Sequence, residues 1–105
     1  MGLNYLEITK WLEDSHQQAV IAKITKLVQV NQPVIEEQDV IDIRKFLSEF
    51  RQRLIDNKTD KTLIRMINDN LQAFGPNTIG SNLLLNRFMT KDESLLHRIE
   101  ILLNQ

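Results

Sequence analysis

Apolar residues recur at intervals of three and four positions along most of this chain, which is the spacing of one face of an α-helix. The clearest series forms a central seam, made of Val40, Ile43, Leu47, Phe50 and Leu54. No segment alternates apolar and polar residues as a half-buried strand does, and no Asn-Gly or Asp-Gly hairpin turn occurs. The pattern therefore predicts an all-α protein.

A break precedes the central seam. Pro33 lacks a backbone donor and disfavours helical geometry at the residue before it, so we expect a connection at positions 29–35. A long helix is then predicted from Glu36 to Ile55, packed in a bundle through the seam. Acidic residues crowd its first turns and basic residues its end, which complements the helix dipole.

The last third of the chain predicts two further helices. Thr59 or Asp60 is suited to cap the first of them, and Gly75-Pro76 ends it, because glycine accommodates the left-handed terminator and proline prevents continuation. A loop at 77–81 and a short apolar segment follow. The final helix begins at Thr90, whose Thr-x-x-Glu spacing fits a capping box. Its predicted buried face consists of Leu95, Leu96, Ile99, Leu102 and Leu103.

The N-terminal region predicts a short helix from Tyr5 to Glu13 and a second helix after it. Asp14-Ser15 marks the boundary, and Ser15 with Gln18 fits a capping box at the start of the second helix. A single bent helix over both segments is the alternative. With the later helices, the expected fold is an antiparallel four-helix bundle with an additional short N-terminal helix.

Composition narrows the class of protein. With 105 residues, the chain is expected to form a single domain over positions 1–105. Its formal net charge of -1 lacks the basic excess of a dedicated nucleic-acid binder. There is no cysteine, no signal-peptide pattern at the N-terminus and no apolar run near the roughly 20 residues of a membrane span. We therefore expect a cytoplasmic protein.

Candidate chemistry is sparse. Neither His16 nor His97 has a second histidine at the spacing of a metal-binding helix. The acidic residues at 36–42 lack the alternating oxygens and central glycine of a calcium loop, so they are interpreted as a solvated helix start. No phosphate loop or nucleophile elbow occurs. The sequence predicts no catalytic residue, no metal and no cofactor, and hence a protein that is not an enzyme.

Two other features carry functional alternatives. Leu63 to Phe88 has the order of a helix-turn-helix, but the connection from Gly75 to Ser81 exceeds the usual turn, and the segment after it is too apolar to read a DNA groove. DNA binding is the less favoured interpretation. Trp11 is either an anchor for a partner or membrane interface, or a core residue, and the core is favoured.

The last third also resembles a known family. The run LIRMIN at 63–68, a polar-rich loop with Asn77, and the run RFMTKDESLL at 87–96 followed by Ile99 are similar to the enterocin A type immunity proteins. These proteins protect producers of pediocin-like bacteriocins and fold as antiparallel four-helix bundles. This chain has an extra N-terminal helix and ends at Gln105, without the C-terminal tail through which family members recognise their bacteriocin.

The resemblance implies a non-catalytic protein that acts near the inner membrane face, on a protein partner: the sugar permease that a bacteriocin has engaged. Recognition would then fall on the loop from Gly75 to Phe88 and on the last helix. The candidate contacts are Arg65, Phe74, Arg87, Phe88, Lys91 and His97. Phe74 and Phe88 are alternatively core residues. The alternative function is a helical protein-interaction module, such as an antitoxin or the small subunit of a larger assembly. No small-molecule substrate is expected.

Overall fold

The computed structural model of the protein describes residues 2–30, 36–73 and 95–104. These ranges contain five helices and no strand, which confirms the predicted all-α class. The helices are α1 (Gly2–Glu13), α2 (Ser15–Val30), α3 (Glu37–Asp56), α4 (Lys61–Ala73) and α5 (Leu95–Leu103). The long central helix thus begins and ends one residue after the predicted bounds.

The boundary between α1 and α2 confirms that they are separate helices, but the predicted capping box is wrong. Asp14 caps α2, because its Oδ2 accepts a hydrogen bond from the backbone N–H of His16 at 3.1 Å. The side-chain amide of Gln18 reaches back past Ser15 and donates to the main-chain oxygen of Leu12 at 2.8 Å. The carboxylate of Asp14 therefore caps α2 in place of the hydroxyl of Ser15.

Residues 57–60 connect α3 to α4 in a tight turn. The backbone N–H of Thr59 donates to the oxygen of Leu54, and that of Lys58 donates to Ile55, which is the Schellman arrangement at a helix end. Lys58 takes a left-handed φ of 52° at the position where glycine is usual. Of the two predicted cap residues, Thr59 and Asp60, Asp60 is the N-cap of α4, since its Oδ1 accepts from the N–H of Leu63 at 2.9 Å.

The buried core follows the predicted apolar faces. All five seam residues of α3 are buried, and so are Leu95, Ile99 and Leu102 of α5, whereas Leu96 and Leu103 are partly buried. The remaining buried apolar residues are Ile8, Leu12, Val20, Ile24, Leu27, Phe46, Leu63 and Ile67. One continuous apolar cluster thus joins all five described helices.

Helix α3 is central to the packing, since it contacts α1, α2 and α4, while α5 contacts α1 and α4. Cross-helix contacts show that α3 runs antiparallel to both neighbours in the chain. Lys23 of α2 contacts Asp39, and His16 lines one pocket together with Glu49. Arg44 and Arg51 of α3 donate to Leu71 and Asn68 of α4, in reverse order along the two helices.

Trp11 belongs to the core, as favoured from the sequence. Its ring is stacked on Phe46 with centroids 5.5 Å apart and planes 8° apart, and its centroid is 5.8 Å from that of Phe50. The Cζ of Arg53 lies 5.0 Å from the centroid of the Trp11 ring. Trp11 is partly buried and packs against the core cluster, so these contacts support the core interpretation of this residue.

The connection predicted at 29–35 begins too early, because α2 continues through Gln29 to Val30. Other predicted features lie outside the described residues: positions 31–35 around Pro33, the Gly75-Pro76 helix end, the loop at 77–81, the apolar segment to Phe88 and the Thr90 helix start. The helix-turn-helix alternative depends on this same segment and stays untested.

Candidate functional site

A cleft of about 360 Å³ opens between α3 and α4 on the outer side of the antiparallel pair. Its lining combines two arginines, two side-chain amides, one hydroxyl and one apolar side chain. These residues are Arg44, Ser48, Arg51, Asn68, Leu71 and Gln72. None of these six is acidic, so the described part of the lining is polar and positively charged.

The α3 side of the cleft is set by helix register. Arg44, Ser48 and Arg51 follow one another at steps of four and three, so they form a stripe along one side of the apolar seam. Because the seam residues are buried against the core, this stripe emerges at the edge of the contact with α4. The two arginines are seven residues apart, which places their backbone positions about 10 Å apart along the helix.

Both guanidinium groups are held by bonds across the helix pair. Nη1 of Arg51 donates to Oδ1 of Asn68 at 2.9 Å, and Nη1 of Arg44 donates to the main-chain oxygen of Leu71 at 3.0 Å. Both acceptors are neutral oxygens. The Asn68 oxygen orients the Arg51 guanidinium without cancelling its positive charge, in contrast to a carboxylate partner.

Arg51 also has a donor that the described part of the chain does not satisfy. Its Nε is buried, and no described residue provides an acceptor for it. Arginine carries five N–H donors in a fixed planar fork, and buried donors are nearly always paired. With Nη1 bonded to Asn68, the Nε–Nη2 edge of the guanidinium is the side suited to a two-oxygen acceptor.

The opposite side of α3 carries acidic residues, and these have a basic partner. Nζ of Lys23 on α2 lies 2.8 Å from Oδ1 of Asp39 and 4.0 Å from Oδ2 of Asp42. The hydrogen bond to Asp39, together with the nearby negative charges, raises the pKa of Lys23 above its ordinary value of 10.5. The acidic start of α3 is thus more than a solvated face, since two of its carboxylates bind α2.

Of the six residues predicted as partner contacts, Arg65 and His97 are described. Arg65 is exposed on α4, and His97 is half-buried on α5. Neither lines the cleft, although Arg65 precedes the cleft residues Asn68 and Gln72 by one and two helical turns on the same side of α4. Phe74, Arg87, Phe88 and Lys91 lie outside the described residues.

The cleft residues on α3 were missed by the sequence reasoning. A signal was present: arginines seven residues apart, with a serine between them, flank the apolar seam. That pattern shows a basic stripe, but it does not reveal which neighbouring helix faces it. The hydrogen bonds from Arg44 and Arg51 to α4 supply that information.

No group of three or more His, Cys, Asp or Glu side chains within the described ranges is placed to hold a metal ion. Among the described helices, none has both the length and the apolar character needed to cross a bilayer. In comparisons with known proteins, no family model, no curated protein and no solved structure matches the chain.

Proposed function

We propose that this protein acts by binding another protein rather than by catalysis, and that it is a bacteriocin immunity protein of the enterocin A type. The proposal joins the resemblance of positions 63–99 to the placement of the α3–α4 cleft. In this role the protein binds at the permease that a bacteriocin has engaged, and so protects the producing cell.

The main support for the proposal comes from the LIRMIN segment at 63–68, in which some residues are buried and others are accessible. Leu63 and Ile67 are buried, which explains them as packing residues. Arg65 is exposed and Asn68 lines the cleft. The part of the resemblance that packing does not explain therefore lies on the accessible side of α4, next to the arginine stripe of α3.

The structural setting favours recognition by a preformed surface. The tight turn at 57–60 and the two cross-helix hydrogen bonds fix α3 and α4 relative to each other. A surface that is ordered before binding loses less conformational entropy when a partner docks. Arginine and amide side chains are well suited to such a surface, since arginine is enriched among the residues that dominate interface energetics.

The test is expression of the chain in a strain that is sensitive to pediocin-like bacteriocins. We expect expression to raise the peptide concentration needed for killing. The substitution Arg65→Glu reverses the charge at the exposed contact on α4 and is expected to reduce that protection. Lys26→Glu makes the same change of charge at an exposed position on α2 and is expected to leave protection intact.

Circular dichroism of both variants establishes that each retains the helical fold of the wild type. Unchanged killing by a panel of pediocin-like peptides, with the folded protein present in the cell, would contradict the immunity proposal. Equal loss of protection in Arg65→Glu and Lys26→Glu would contradict the assignment of the contact surface to the cleft side of α4.

A further inference from the structure

We propose that the α3–α4 cleft is a binding site for an oxyanion, a carboxylate or phosphate group, with the guanidinium group of Arg51 as its principal contact. The cleft is the surface to which the proposed function assigns partner binding, so the biological meaning of this inference rests on that proposal. The binding itself is a property of the purified protein and is measured separately.

Arg51 has hydrogen-bonding capacity that the described residues do not use. The described acceptor of its guanidinium is one amide oxygen, on Nη1, and its buried Nε has no acceptor among the described residues. Buried donors of this kind are rare in folded proteins because an unpaired buried N–H is unfavourable. An oxyanion is the natural complement, because its paired oxygens match the spacing of two parallel N–H donors.

The described lining of the cleft supplies further hydrogen-bond donors for an anion. Beside Arg51 lie the Ser48 hydroxyl and the side-chain amides of Asn68 and Gln72, all able to donate hydrogen bonds. Because Oδ1 of Asn68 already accepts from Arg51, its Nδ2 group is the donor that remains to this side chain. Among the described lining residues, none is a carboxylate that would compete with a bound anion.

Arg51 differs from the basic group on the other side of α3 in the kind of partner that it has. Lys23 meets a carboxylate at 2.8 Å, so the basic group there is paired within the fold. Arg51 is held by a neutral amide, which positions the guanidinium and leaves its charge for another partner. A cleft of about 360 Å³ provides the volume for a group of the size of phosphate or of one carboxylate arm of citrate.

The test is nuclear magnetic resonance titration of the full chain with inorganic phosphate and, separately, with citrate, at constant ionic strength maintained with chloride. We expect saturable shifts of the Arg51 Nε–H signal and of backbone amides around Ser48 and Asn68. Arg51→Gln is expected to weaken binding about tenfold or more, because it removes the charged donors. Lys26→Gln, which removes one exposed positive charge from α2, is expected to leave the affinity unchanged.

A second variant keeps both arginines. Ser48→Glu places a carboxylate inside the cleft and is expected to abolish the titration by internal competition, while Ser48→Gln retains binding. The tighter of the two probes identifies whether phosphate or carboxylate is the preferred group. Absence of saturable shifts with both probes, or equal weakening by Arg51→Gln and Lys26→Gln, would overturn the inference.

The outcome is separable from that of the immunity proposal. Anion binding without protection in cells would support the anion site and contradict the immunity proposal. Protection in cells without anion binding would support the immunity proposal and contradict the anion site.

Discussion

The two flanks of α3 present their charges in different ways. Toward α2, Asp39 and Asp42 meet the ammonium group of Lys23, and opposite charges lie in contact. Toward α4, the bonds described for Arg44 and Arg51 go to a main-chain oxygen and an amide oxygen. Both flanks join two antiparallel helices, but on one flank the charge is neutralised within the fold and on the other it is oriented toward an open cleft.

This difference distinguishes charged groups that are paired within the fold from charged groups that are available to a partner. An exposed ion pair in a helix contact contributes little to stability and needs no ligand to explain it. The amide oxygen that accepts from Arg51 orients its guanidinium but carries no opposite charge, so this contact does not neutralise the positive charge of the side chain. A charged surface built this way is suited to bind an anion or an acidic group of a partner.

The largest expected effect concerns the apolar seam that lies between the two flanks. Phe50 is fully buried and packs against Trp11 and Phe46. Phe50→Ala is expected to lower the free energy of unfolding by about 3–5 kcal/mol, since it removes an aromatic ring and leaves a cavity. Gln52→Ala, at an exposed position of the same helix, is the control in chemical denaturation. Equal effects of the two substitutions would show that the flanks, rather than the seam, stabilise the helix pairs.

A smaller effect is expected in the turn that joins α3 to α4. Lys58 has a φ of 52°, a conformation that is unfavourable for residues with a Cβ. Lys58→Gly is expected to raise the free energy of unfolding by about 1 kcal/mol, because glycine takes this conformation readily. Lys58→Ala removes the same charge without relieving the backbone, so it is expected to give no gain. A gain of equal size in both variants would mean that charge, not backbone geometry, limits the turn.

On the α2 flank, the paired charge predicts a modest dependence on salt and pH. Lys23→Gln is expected to lower the free energy of unfolding by about 0.2–1 kcal/mol near neutral pH, with a smaller loss in high salt. The Lys23 pKa is raised in the folded state above 10.5. This stabilisation is therefore fully present below the unfolded pKa and is lost as the pH rises through the folded pKa. Denaturation of both proteins across that alkaline range tests the sign, and a difference that grew with pH would contradict it.

The sequence was sufficient for the parts of the fold that depend on apolar spacing. The seam of α3, the Asp60 cap and the separation of α1 from α2 follow from local pattern and are confirmed. The capping box at Ser15 was wrong because two adjacent residues, Asp14 and Ser15, both suit a helix start, and only the three-dimensional path selects between them.

The candidate site was less predictable for a physical reason. A cleft is formed by two helices, and the sequence pattern of α3 does not specify which polar residues of α4 face it. Arg65 was chosen from the sequence for its charge and position in a motif, and it lies beside the cleft rather than in its lining. Arg44 and Arg51 were assigned no functional role, because only their cross-helix hydrogen bonds distinguish them from ordinary surface arginines.

Arg51 is held in the cleft by a neutral amide oxygen, and one measurement tests most directly whether its positive charge attracts an acidic group there. Ser48 lies one helical turn from both Arg44 and Arg51, so a carboxylate at this position approaches both. The free energies of unfolding of Ser48→Glu and Ser48→Gln are compared in low and high salt. We expect the free energy of unfolding of Ser48→Glu to exceed that of Ser48→Gln by about 0.5 kcal/mol in low salt, and we expect high salt to reduce this difference. A glutamate variant no more stable than the glutamine variant in low salt would contradict this expectation.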